Sequence, residues 1–323
     1  MKKGQFNFVW IFALVAGGAI LALAIYGATQ AGDTMRFQSD TEVAKSISII
    51  TDPLQAGFAD GSFGRISFRQ ETRINNICFD GSQLDSEDRT GQGFGKNDIS
   101  VATRSDIGEE WKSGGGATSI RNKYIFSPEV SSGKDYYVFS KPFNFPYEVS
   151  DLIFLTSDDY CFVNVPEDVG DEIVGLNIPN IEIDNCSNSD AVRVCFGGGS
   201  GCDVIVYGSC MSGCDSVFDE GTVVKGRDDL KYVGGLMYGA IFSDADVYDC
   251  NVKRLMYRAG KIAEEFGSKA DLMDSRGCGS DLGGDLNVWS GMLTGAGSED
   301  LMSLRVAAES MDKKNNRELC GLW

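Results

Sequence analysis

Ten cysteines and no histidine set the chemistry open to this 323-residue chain. Without an imidazole there is no Ser-His-Asp or Cys-His nucleophile pair, no His general base and no His-ligated zinc or haem. The cysteines are Cys78, Cys161, Cys186, Cys195, Cys202, Cys210, Cys214, Cys250, Cys278 and Cys320, an even number, all outside the apolar N-terminal run. In an oxidising compartment that count reads as disulfides. Four thiolates at Cys195, Cys202, Cys210 and Cys214 could instead form a tetrahedral zinc site, but they lack the paired CxxC spacing of a zinc ribbon. No metal is therefore expected. One pairing follows from local geometry: if 192–196 and 204–207 form an antiparallel hairpin across Gly197–Gly201, Cys195 stands opposite Cys202, within disulfide range.

Carboxylates are the other reactive groups. Asp158-Asp159, Glu167-Asp168, Asp171-Glu172, Asp228-Asp229 and Asp244/Asp246/Asp249 are candidate calcium ligands. The last set lacks the glycine of an EF-hand loop, so these clusters read as solvated acidic surface. GxSxG, GxxxxGK[ST] and GxGxxG motifs are absent. No catalytic residue and no cofactor is assigned, and a carboxylate-pair hydrolase stays an alternative. The 29 Lys+Arg against 47 Asp+Glu give a net charge of −18, which argues against nucleic acid as a partner.

Several elements must position these residues. From Phe6 to Ala28 the chain is apolar except for Asn7, and no charge falls between Lys3 and Asp33. As a helix that run extends about 35 Å, enough for a bilayer core of about 30 Å. Lys2 and Lys3 place its N-terminus on the cytoplasmic side and the remainder outside. Gly17, Gly18 and Ala22 give it a small-residue face for packing against other membrane helices. Val43, Ile47, Ile50 and Leu54 then continue at helical spacing until Asp52-Pro53.

Further on, 62–75, 136–155, 160–165, 172–178 and 191–196 read as strands, and 80–118 as loop. After Asp246 an amphipathic helix carries Tyr248, Val252, Leu255, Ala259, Ile262, Phe266, Ala270 and Met273 on its apolar face and Arg254 and Arg258 on its polar face. Ser298 is expected to cap a second helix, with Leu301, Leu304, Ala308 and Met311 as its stripe. The fold class is α+β: a long N-terminal transmembrane helix, then a disulfide-rich, mainly antiparallel β ectodomain with two C-terminal helices. Residues 1–32 form the cytoplasmic tip and membrane helix, 33–56 a helical stalk, and 57–323 the extracellular ectodomain.

Lys2-Lys3-Gly4-Gln5 followed at once by the apolar run resembles the class III prepilin signal of archaeal type IV pilins and related surface proteins. The resemblance covers the first 28 residues. It implies cleavage between Gly4 and Gln5 by a membrane peptidase, and a hydrophobic segment that both anchors and assembles. Val9 stands where major pilins carry a glutamate, which points to an anchored pilin-like protein rather than a filament subunit. The implied partners are the lipid bilayer and other transmembrane helices or pilin-like subunits. The implied role is surface adhesion or assembly at the cell membrane, with an accessory or receptor subunit as the further alternative.

Overall fold

The computed structural model describes residues 15–27, 43–44, 63–82, 93–104, 111, 115–211 and 213–323. Among these residues twelve strands form two six-stranded sheets, accompanied by helices α1 (15–27), α2 (Glu167–Leu176), α3 (Leu236–Phe242), α4 (Ala245–Ser275), α5 (Gly283–Leu293) and α6 (Leu301–Asn315).

The first sheet has the order β3-β2-β1-β5-β6-β4. Its strands are β1 (Phe63–Phe79), β2 (Lys96–Thr103), β3 (Thr118–Ile120), β4 (Tyr124–Phe126), β5 (Val130–Asn144) and β6 (Glu148–Thr156). β1 is long because alternating residues such as Thr72, Ile74 and Asn76 face inward, and it pairs antiparallel with both β2 and β5. β5 and β6 make a hairpin around the cis Phe145–Pro146 bond, and only β4 joins this sheet in parallel.

The second sheet has the order β12-β11-β10-β9-β7-β8. It comprises β7 (Tyr160–Val163), β8 (Ile181–Ile183), β9 (Val192–Phe196), β10 (Val204–Gly208), β11 (Glu220–Lys225) and β12 (Asp228–Val233). β7 pairs in parallel with both β8 and β9, and β9 pairs in parallel with β10, whereas β10, β11 and β12 run antiparallel.

Between the sheets lies α3. All seven of its residues are buried, and a helix apolar on every side has no solvent face to keep. Phe242 lies 5.7 Å from Phe139 of the first sheet and 4.8 Å from Tyr160 of the second, ring centre to ring centre. Burying each such ring contributes about 2–3 kcal/mol, so this helix is the joint between the two layers. The other face of the first sheet packs Ile74, Ile99, Val101 and Ile153 against Ala44, which is helical and fully buried.

Several expectations are overturned. No helix among the described residues is long and apolar enough to cross a membrane. Of the apolar run over 6–28, residues 15–27 are described, and they are helical. The predicted long transmembrane helix is therefore not found among the described residues. Helices after the second sheet number four rather than two: α3 has no polar face to generate a period, and glycines at 283, 284 and 291 dilute the apolar period of α5.

Residues 172–178, read as strand, belong largely to α2, where Val169, Ile173 and Leu176 share a buried face. Within 80–118, read as loop, β2 alternates in burial as an edge-covered strand does. β9 and β10 are not a hairpin but a parallel pair, with Val194 opposite Val204. Ser298 does not cap a helix through its side chain. It opens a short 3-10 turn, and its hydroxyl donates to Asp249.

Candidate functional site

All ten cysteines pair: Cys78–Cys250, Cys161–Cys186, Cys195–Cys202, Cys210–Cys214 and Cys278–Cys320, with Cα separations of 5.7–6.3 Å. Those separations lie in the range a disulfide spans. Cys195–Cys202 forms as expected, by a different route. The glycine-rich loop turns back across the sheet, and Asp203 N–H donates to Arg193 C=O before β10 starts beside β9. The bridge thus closes the return of a parallel crossover instead of crossing a hairpin. With both of their pairs oxidised, Cys195, Cys202, Cys210 and Cys214 leave no thiolate for zinc.

Cys78–Cys250 ties β1 to α4 beside a buried polar node. Arg254, expected on the polar face of α4, is wholly buried. Its guanidinium donates to Phe94 C=O (3.0 Å), Asn251 Oδ1 (2.8 Å), Arg121 C=O (3.0 Å), Lys123 C=O (3.1 Å) and Asn97 Oδ1, and lies over the Tyr124 ring. Asn97 in turn donates to Asn76, and Asn251 to Ile125 C=O. Burial pushes the guanidinium down to about 10, so it stays charged at neutral pH. Five oxygen acceptors offset that desolvation.

A cleft of about 420 Å³ opens between α6, the β5–β6 turn and the 213–219 segment, lined in part by Phe145, Asp219, Arg305, Glu309, Asp312 and Lys313. Arg305 Nε donates to Glu220 Oε2 at 2.5 Å, and Nη1 to Glu309 one helical turn away. Asp219 accepts from the Asp215 and Ser216 N–H groups, and Asp312 from Trp323 Nε1 at 3.1 Å. A carboxylate-pair hydrolase needs one acid held protonated and a second carboxylate facing the same bond. Here the carboxylates already accept from protein donors. Asp158, whose carboxyl is held above its ordinary range by burial and then by Asp159, does not line this cleft.

Four of the remaining acidic candidates are held by protein donors, Asp159 by Asn188 and Glu172 by Lys141 and Tyr238. Asp244 accepts from Glu129 N–H at 2.8 Å, and Asp249 from Ser298 and Lys253. Among the described residues no group of three or more acidic, cysteine or histidine side chains is placed to hold a metal ion. Gly4 and Gln5 lie outside the described residues. Gly17, Gly18 and Ala22 lie on α1, exposed, and a side chain at either glycine would meet nothing within 4 Å. Sequence reasoning missed the Glu220–Arg305–Glu309 group, although the i, i+4 spacing of Arg305 and Glu309 was there to signal half of it. No protein family, curated relative or solved structure matches the chain.

Proposed function

We propose that this chain is an exported, pilin-like surface protein that works by assembly or adhesion outside the cytoplasm. The observation that carries the reading is the complete pairing of ten cysteines into five disulfides, a state that persists in oxidising surroundings. Two features support it. Val15, Ile20, Leu21, Leu23, Ile25 and Tyr26 of α1 are each more than half exposed, an apolar surface that calls for lipid or neighbouring helical segments as cover. The prepilin-like Lys2-Lys3-Gly4-Gln5 precedes that helix. The cleft carboxylates, committed to Arg305 and to backbone donors, favour recognition over hydrolysis.

The test is intact-mass analysis and N-terminal sequencing of the protein released by proteolytic shaving of whole cells and of the residual cell-bound form. The expected outcome is a mature start at Gln5, release of the disulfide-rich part by external protease, and no alkylation before reduction. Ten alkylatable thiols in native protein, or full protection from external protease, would remove the proposal.

A further inference from the structure

We infer that α6 is a self-association surface, pairing antiparallel with α6 of a second copy about a two-fold axis through Val306. The inner stripe of this helix, Leu301, Leu304, Ala308 and Met311, is buried in the core. Its outer stripe begins in the preceding 3-10 turn and reads Glu299, Ser303, Val306, Ser310, Lys313, and all five are exposed. Steps of four, three, four and three residues keep these positions on one face over about 21 Å.

That order is complementary to its own reverse. With two such helices antiparallel, Val306 meets Val306 of the second copy at the axis, Ser303 faces Ser310, and Glu299 at one end faces Lys313 at the other. Val306 is 63% exposed and the Lys313 side chain 64%. Serines flanking the centre are small enough for helix axes to approach to about 8–10 Å. The flank is apolar as well: Val288 and Met292 of α5 are 64% and 46% exposed, beside a groove of about 250 Å³ that Ala307 and Ser310 of α6 also line.

Charge selects the occupant. Copies of a chain with a net charge of −18 repel across most of their surface. The middle three positions of this stripe, Ser303, Val306 and Ser310, are uncharged and its ends are acidic and basic, with Lys313 3.9 Å from Glu309 of its own helix, so a like copy docked in reverse meets opposite charge at both ends. A two-fold contact uses the same patch on each copy and closes on itself. The pairing does not depend on where the protein resides.

Full-length protein in detergent is the material for the test. Sedimentation across a concentration series is expected to show a species of twice the 34.9 kDa chain mass. Lys313→Glu alone should weaken the dimer by about tenfold, because like charges then meet at both ends, and Glu299→Lys with Lys313→Glu should restore it. Val306→Cys should cross-link to itself on mild oxidation, seen on a non-reducing gel. A monomer at every concentration would overturn the inference. So would a dimer indifferent to both charge changes, as contact through residues 6–28 would be, or a Val306→Cys protein that cross-links only to a different polypeptide.

Discussion

The two sheets reach stability by different means. Residues 63–156, which hold the first sheet, carry 11 Lys+Arg against 13 Asp+Glu; residues 157–235, which hold the second, carry 4 against 15. The first is built on strands of up to 17 residues, paired antiparallel over long registers, and one disulfide leaves it for α4. The second has strands of three to six residues, half-parallel pairing, and three disulfides closed within itself. Long antiparallel strands set their own register and bury enough side chains to hold it. Short parallel strands bury less per crossover and here also confine like charges. Covalent links supply what burial does not.

Removing the one long-range bridge tests that contrast at its greatest expected amplitude. Cys78 and Cys250 lie 172 residues apart, so their disulfide restricts the unfolded chain by about 5 kcal/mol, against about 2 kcal/mol for Cys195–Cys202 with a separation of seven. Chemical denaturation of Cys78→Ser/Cys250→Ser should show the larger loss, with the second sheet and its own three bridges unfolding last. An equal loss from Cys195→Ser/Cys202→Ser would mean that loop closure is not what the staples supply.

Next in size is Arg254→Met. The first region relies on this buried cation to satisfy acceptors from three separate segments, and methionine leaves them without donors in a dry site. The expected cost is about 4 kcal/mol, read from the denaturation midpoint. Arg254→Lys should recover little, since one ammonium cannot reproduce the planar fork that reaches Phe94, Asn97 and Lys123 together. A loss below about 1 kcal/mol would show that the node is incidental and that the strands hold the first sheet unaided.

Much of this architecture is legible in residue order, and the exceptions have physical causes. The inner faces of α4 and α6 show a 3.6-residue period because each has one wet side, and those positions are buried as read except Ile262, Phe266 and Met273 of α4, which are half-buried against the core. α3 has no wet side, so no period marks it. Arg254 follows Lys253 in a charged run and reads as solvated. Its burial depends on carbonyls from 94, 121 and 123, which only the folded first sheet brings to α4. α2 reads as a strand because Ile173 and Val174 favour strands, although Pro166 and the acidic Glu167 and Asp168 mark a helix start. The Cys195–Cys202 pairing is legible because a separation of seven residues keeps the two sulfurs near each other whichever way the strands run. The strand direction itself depends on a longer-range choice. The cleft around Arg305 joins residues 144, 219 and 305, and no local pattern announces such a meeting.

The smallest expected effect bears on the charge half of the contrast. Asp158, at the start of the second sheet, has its carboxyl held above the ordinary range by partial burial, then by Asp159 and Asp244, with Lys225 opposing. A carboxyl raised on folding binds its proton more tightly in the native state. The native protein therefore loses stability as pH climbs from the unfolded value of about 3.9 through the raised folded one, and the penalty is fully present at neutral pH. Asp158→Asn removes it. The variant should melt higher than the parent at pH 7, by less than about 1 kcal/mol since solvent screens the group, and the advantage should fade as pH falls toward 4. Should the substitution lower the melting point at pH 7, the acidity of the second sheet would be a source of its stability, and the disulfides there would need another explanation.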